Sequence, residues 1–485
     1  MAASFFFYDL ETTGISSSHD RIMQFAGMRT DLDLVPIGGP YNIKLKISPD
    51  ILPQPEAILL TGILPDKNNR DGISEAEFSG IFNTEISIAD TIFVGFNNIR
   101  FDDEFIRYTN YRNFFDPYMW HWADGNSRWD LLDVVRMTRA LRPDGISWPE
   151  VDGKPVNKLE LLTKVNKLDH KSAHDALSDV LATIELAKLI KNKQPKLFNY
   201  LLKLRTKEKS KDILSSDDPF VYTSSHYPSS YLHTSAAATL SYDQAKSTAT
   251  VFDLRYDPNK YINLDPEELA GLWAYDKNKL PNERLPIKTI KVNRCPAIAP
   301  LSVLDPSSLK RLDLNKKTIS ANYSTLQKHK KAFTDKLNEV IKILDKTQDE
   351  RLKARVPLGP KADIQLYDNF IPKNDQAKFP AARIQALKSH LDIPDFTDSR
   401  LEELFKLYRA RNYPSLLDKD ETVWWKKQVK NKLFTAIDDQ DSSYNQYIEK
   451  LELLKLDNKN NLSKLKVIEE LEKYAKTIAD DYGAD

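Results

Sequence analysis

The sequence is short of cysteine, of glycine and of net charge. One cysteine, Cys295, among 485 residues excludes an internal disulfide framework and any CxxC metal site. Glycine is scarce at 14 residues, and neither GxxxxGK[ST] nor GxGxxG occurs, which disfavours the glycine-rich nucleotide loops. No apolar run approaches the roughly 18–20 residues of a membrane-spanning helix. The run at 5–8 is cut by Asp9, too early for a secretory signal, so a cytoplasmic protein is expected. Lys and Arg total 70 against 70 Asp and Glu, so the total charge announces no polyanionic partner. A local patch can still serve one, because a surface field depends on distribution. From 188 to 211, nine Lys or Arg face the single acid Glu208. Such a run reads first as a solvated helix face and linker.

What is present is an ordinary globular balance, 41% hydrophobic and 29% charged, over a length that suggests roughly three domains. Residues 5–9, 22–30 and 41–47 read as strands joined by short links, a meander. Residues 76–86 read as a helix, 91–95 as a buried strand, and 102–113, 129–141 and 159–165 as helices. A long helix is expected to open at Ser172, with Ala176, Val180, Ile184, Ala187 and Ile190 on its apolar stripe. This is an α/β domain over 1–196. Residues 203–219 read as a linker. Strand-like segments at 221–224, 248–254 and 285–292 mark a β-rich domain, which with its linker and a helix at 320–345 spans 197–350. Pro357 and Pro360 punctuate the chain, and 355–485 is helical, clearest at 401–410, 422–433 and 462–479.

Three segments carry chemistry. In Tyr8-Asp9-Leu10-Glu11, side chains two apart on a strand share a face, so Asp9 and Glu11 project together. Two adjacent carboxylates at the end of an apolar strand repel, and a divalent cation relieves that repulsion. The alternative is that one caps a turn or faces solvent. In the second segment, 93–104, a buried strand ends in Asn97-Asn98 and a helix begins near Asp102, where a carboxylate also serves as an N-cap. Asp103 is its rival in register. In the third segment, His174 precedes Asp179 by five residues. That spacing shares a helical face poorly and works best with His174 on the incoming loop.

Together these segments resemble the DEDDh family of 3′→5′ exonucleases, on the ribonuclease H-like fold: DxE, then NxxxD, then HxxxxD. Leu60-Thr61-Gly62-Ile63 fits the same family. The runs 97–104, 111–114, 116–118, 126–134, 140–149, 363–370 and 408–414 resemble the bacterial exodeoxyribonuclease I family within it, with the likeness thinning between about 207 and 282. The resemblance implies a mixed sheet with flanking helices, then an SH3-like β-rich domain and an α-helical C-terminal domain.

It further implies Mg²⁺-dependent, two-metal hydrolysis of single-stranded DNA from the 3′ end, releasing 5′-mononucleotides in DNA repair and recombination. Mn²⁺ would be a possible substitute. Carried over by position, Asp9, Glu11, Asp102 and Asp179 would hold the metals, Glu11 would also touch substrate, and His174 would be the general base. Lys158 stands where the family has an arginine, and cannot make that residue's planar bidentate contact. Arg107, Tyr118, Trp122, Arg136, Arg142 and Ser172 match DNA-contacting positions, a mixture of cations and aromatics suited to a single strand. Trp122 and Tyr118 could alternatively be core residues. Tyr367, Tyr408, Arg409 and Arg411 could clamp DNA or form a buried salt-bridged helix face. The family also implies contact with the acidic tail of single-stranded DNA-binding protein near Arg142 and Tyr200, in a monomer with no membrane association. Rival readings are a DEDDh ribonuclease or proofreading exonuclease, and a non-catalytic single-strand-binding module.

Overall fold

The computed structural model describes residues 3–170, 174–274, 283–353, 361–436 and 441–483. Ser172, Pro357 and Pro360 lie outside them. The first domain is built on strand β1, Ser4–Thr12, which is continuously apolar over Phe5–Tyr8 because both its faces are covered there. Phe5 and Phe7 enter one core with Trp129, Val134 and Ile184. Phe6, Tyr8 and Leu10 enter another with Phe25, Phe82 and Phe93. Antiparallel β2 (Ile22–Thr30) and β3 (Tyr41–Lys44) extend the sheet on one side. Parallel β4 (Thr91–Gly95) and β5 (Ser127–Asp130) extend it on the other, giving the order β3-β2-β1-β4-β5.

Three expectations are corrected here. The segment 129–141 is not one helix. Trp129 and Asp130 end edge strand β5, and the helix runs Leu131–Leu141, capped by the Asp130 carboxylate accepting from the Leu132 N–H at 3.0 Å. The long helix opens at Ala176, not Ser172, with Asp175 in extended conformation before it, and ends at Lys193. The supposed linker contains helix Lys207–Leu214, whose Ser210 and Leu214 are buried. With one serine and one leucine as its buried face, the helix shows no apolar period inside a lysine-rich run.

The second sheet is antiparallel throughout: β6 (Phe220–Thr223), β7 (Thr234–Asp243), β8 (Thr248–Asp253), β9 (Ile287–Lys291) and β10 (Ala297–Pro300), in the order β9-β8-β7-β6-β10. Central β7 escaped the sequence reading because Ala236, Ala237 and Ala238 carry no strand propensity of their own. Helix Lys316–Lys353 lies across this sheet, its Phe333 edge-on to Phe252.

The core does not stop at residue 196. Phe198, Leu201, Leu204 and Leu214 join the apolar side of the first sheet to Val221, Ala237 and Ile298 of the second in one continuous cluster. The third domain packs helices Arg400–Asn412, Lys419–Leu433, Ser443–Asp457 and Leu462–Tyr482. It docks on the first through Tyr108, Tyr111 and Phe114 against Leu366, Phe379 and Phe405, and through Met23, Ile47 and Ile51 against Leu451, Ile468 and Leu471.

Candidate active site

Alternation along β1 brings Asp9 and Glu11 to one face at the strand's end, and helix Ala176–Lys193 crosses it with Asp179 in its first turn. Oxygens of these three carboxylates lie within 4.8 Å of one another. Gln24, opposite Glu11 in the register, fixes the helix entrance by donating to Asp175 Oδ1 at 3.0 Å.

Asp102 opens helix Asp102–Arg112 and is 4% exposed. It belongs to the same charge cluster. Burial and then the charges of Asp102, Glu11 and Asp179 push Asp9 well above the usual carboxylate range. Burial, Asp179 and Asp102 push Glu11 up to about 8. Burial, then neighbouring Asp103, raises Asp102 to about 8. Burial also raises Asp179, against the lowering effect of His170. Four carboxylates held this way cannot all be ionised without a cation. An all-oxygen donor set of this kind suits a hard divalent ion.

Asp103 points elsewhere. It is fully buried, accepts from the Tyr8 hydroxyl and from Asn98 Nδ2 at 3.3 Å, and pairs with Arg128 Nη1 at 2.5 Å. Those partners saturate it, and the register question falls to Asp102.

His174 sits on the incoming loop, as its spacing requires, with φ +65° and its N–H donating to Asp179 Oδ2 at 3.3 Å. A second histidine, unremarked in the sequence, is closer. His170 Nε2 lies 2.6 Å from Asp179 Oδ1, and its Nδ1 lies 3.0 Å from Thr163 Oγ1. Its only signal was position, four residues before His174.

An open cavity of about 450 Å³ at the carboxylates is lined by Asp9, Asn97, Arg136, Lys158, Asp179 and His233, among others. The Lys158 side chain is 70% exposed, 3.9 Å from Glu160. Arg136 donates to Asp133 at 2.8 Å. A larger cavity, about 750 Å³, opens where the three domains meet. Arg107 enters it, its guanidinium 5.6 Å from the centre of the Tyr118 ring and 2.6 Å from Glu104. Tyr367 enters from the third domain and donates to Glu104 at 2.5 Å. Trp122 is 60% exposed, so it is not a core residue; the buried indole there is Trp120. Phe370, which the sequence did not single out, lines the same cavity and is 91% exposed. Arg142 and Tyr200 line a separate groove with Lys196, Arg142 donating to the Val303 carbonyl at 3.1 Å.

The remaining cluster is a correction. Tyr408 and Arg409 are buried, and Arg409 pairs with Glu421 at 2.7 Å and donates to the Ala386, Lys388 and Leu416 carbonyls. Arg411 bonds Asp50 at 2.8 Å and Asp363 at 2.7 Å, where Arg21 joins Asp363 at 3.1 Å. The buried salt-bridged face is what this segment makes, and it ties the third domain to the first. None of these groups is free to hold DNA.

Comparison with known proteins gives the same organisation. The profile of the family described as "Exonuclease" matches residues 6–187, that of the exonuclease I SH3-like domain 205–342, and that of the exonuclease I C-terminal domain 360–478. Exodeoxyribonuclease I of Haemophilus influenzae is 37% identical over 97% of this chain and 98% of its own. The zinc-bound form of E. coli exonuclease I with single-stranded DNA superposes with TM-score 0.89 at 34% identity, covering 99% of this chain and all of that one. A structure of exonuclease I with single-stranded DNA-binding protein (SSB) and an inhibitor gives TM-score 0.86 at 34% identity over 99% and 100%. Similarity of this extent, over the whole length and across three domains, makes the chain a member of the exodeoxyribonuclease I family.

Proposed function

We propose that this protein is a single-strand-specific 3′→5′ exodeoxyribonuclease that releases 5′-mononucleotides, with Asp9, Glu11, Asp102 and Asp179 holding two Mg²⁺ ions. The observation that carries it is the convergence of those carboxylates, three of them within 4.8 Å, at a cavity that Asp9 and Asp179 line together with Lys158 and Arg136. Bound divalent cations would supply an activated water and charge stabilisation at the leaving 3′ oxygen. The chain does the rest. His174, on its loop, takes the proton of the attacking water. Lys158 and Arg136 hold phosphate charge, Lys158 as a point charge rather than a fork. Arg107, Tyr118, Trp122 and Tyr367 line the strand's approach by charge and stacking, which grips any sequence.

The groove of Arg142, Lys196 and Tyr200 joins cations to an apolar floor of Leu197 and Val303. That chemistry suits the acidic tail of single-stranded DNA-binding protein, the partner seen with a relative. Among the described residues no helix is long and apolar enough to cross a membrane. We place the enzyme in the bacterial cytoplasm, acting as a monomer in DNA repair.

The test is incubation of DNA and RNA oligomers, labelled at either end, with and without Mg²⁺. Mg²⁺-dependent shortening of DNA from the 3′ end alone is expected. Preference for RNA would favour the ribonuclease reading, and binding without cleavage a non-catalytic module.

A further inference from the structure

The nuclease cavity has one wall that does not come from the nuclease domain. His233 belongs to the turn between β6 and β7 of the second sheet, yet it lines the cavity together with Asp9, Asn97, Lys158 and Asp179. The turn that delivers it is built with care. Leu232 and His233 both have positive φ, +50° and +58°, a conformation that neither side chain favours and that persists only where surrounding bonds impose it. Those bonds are present. The His233 N–H donates to the Pro228 carbonyl at 3.1 Å, and its own carbonyl accepts from Ser224 N–H at 2.8 Å. Arg255 stacks 3.6 Å from the centre of the Tyr231 ring and donates to the Leu312 carbonyl at 3.0 Å, pinning the far side of the turn.

The imidazole is oriented as well as placed. Its Nδ1 lies 2.9 Å from the Tyr227 carbonyl, which can only accept, so Nδ1 carries the proton. Burial and the Arg136 charge both lower the basicity of the ring. A neutral imidazole with its proton on Nδ1 leaves Nε2 a bare acceptor. The other polar side chains lining the cavity are the cations Arg136 and Lys158, the carboxylates Asp9, Glu160 and Asp179, and the amides Asn97 and Asn157, so among the described residues His233 is its one aromatic nitrogen acceptor. An acceptor among them recognises a donor, and phosphates have none.

We infer that His233 binds the 3′-terminal nucleotide, its Nε2 accepting a hydrogen bond from a donor on that nucleotide, either the terminal 3′-hydroxyl or an exocyclic base amine. The middle domain thereby completes the nuclease pocket instead of only covering it. The inference rests on the exonuclease reading above.

The test is a cycle of protein and substrate changes in the full-length chain. His233→Asn suits it, because asparagine tolerates positive φ while its side chain stops short of the Nε2 position. His233→Ala serves as a second variant. Single-turnover cleavage with saturating Mg²⁺ gives the half-saturating concentration for an oligomer ending in a 3′-hydroxyl, for its dideoxy-terminated counterpart, and for ends in dA or in the purine lacking the 6-amino group. Wild type should lose about three- to tenfold in half-saturation when the recognised donor is removed, the range of one hydrogen bond. Both variants should bind the intact end correspondingly less well and be indifferent to that removal. Coupling to the hydroxyl assigns the sugar, and coupling to the amine assigns the base. Loosened packing weakens all ends alike and produces no coupling, so coupling to neither group in either variant overturns the inference. Failure of wild type to cleave any of the ends overturns the nuclease reading instead.

Discussion

Asp102 and Asp103 are adjacent in sequence and opposite in chemistry. At a helix start the two side chains diverge by about 100°, which sends Asp102 to the carboxylate cluster and Asp103 into the core beside Arg128. Local propensity could not separate them, because both carboxylates fit a helix N-terminus; the choice of Asp102 rests on the family spacing from Asn98. Their substitutions should separate cleanly. Asp103→Asn leaves Arg128 buried without its counter-charge and is expected to cost about 3–5 kcal/mol in urea unfolding. Asp102→Asn removes a repelling charge, so the metal-free chain should be no less stable, while Mg²⁺-dependent cleavage is lost. Equal unfolding free energies for the two variants would contradict the assignment. The two histidines divide in the same way. His174→Ala should slow hydrolysis by roughly 10²–10⁴-fold with calorimetric Mg²⁺ affinity unchanged, as removal of a general base does. His170→Ala takes a partner from Asp179 and should weaken Mg²⁺ affinity about 10–100-fold. The sequence offered His174 because a motif contained it; His170 acts from outside the motif and becomes visible only when Asp179 is placed.

Among the elements, β1 was legible because its apolar run and paired acids are local signals. Edge strand β5 was not, since four residues running directly into a helix leave no period to read. The end of β1 also fixes a pH dependence. Glu11 and Asp102 titrate near 8 in the native chain and near 4 when unfolded, so between those values the native state holds the extra protons. Stability of the metal-free protein therefore falls as pH rises through that interval and levels off above it. Buried His121, whose basicity is lowered by burial and by Arg128 and Arg107, opposes this trend only below about 6.5, where the unfolded chain gains its proton. The clean window is about pH 6.5–8. There the melting temperature without metal should drop with increasing pH. Glu11→Gln should flatten the slope, and saturating Mg²⁺, replacing protons as counter-charge, should reduce or reverse it. A rising melting temperature across this window without metal would show that the cluster is not protonated.

At the scale of the whole molecule, chemistry confined to residues 9–179 invites the expectation that a fragment ending near Lys211 would work alone. The continuous core argues against it: such a fragment keeps Phe198, Leu201 and Leu204 but loses Leu214, Val221 and Ile298, against which they pack. The purpose of the further domains must be probed in the intact chain. A structure that surrounds a single strand raises its effective concentration after each cut and favours advance by one nucleotide over release. Tyr408, Arg409 and Arg411, the residues the sequence suggested for this grip, are committed to buried ion pairs and packing. Phe370 is free for it: it is 91% exposed and lines the cavity between the three domains opposite Arg107 and Tyr118. Phe370→Ala should leave unfolding within about 0.5 kcal/mol, as for a side chain away from packing. Single-turnover cleavage of an oligomer too short to reach that cavity should stay within about twofold. One lost stacking contact is worth about 1–3 kcal/mol, so release from a long strand should quicken roughly five- to more than a hundredfold. Unlabelled trap DNA added after the first cut reports this directly, as a shortened run of cleavage per encounter. If the variant digests a long strand through the trap as completely as wild type, the third domain's contribution to the grip lies elsewhere than in this ring.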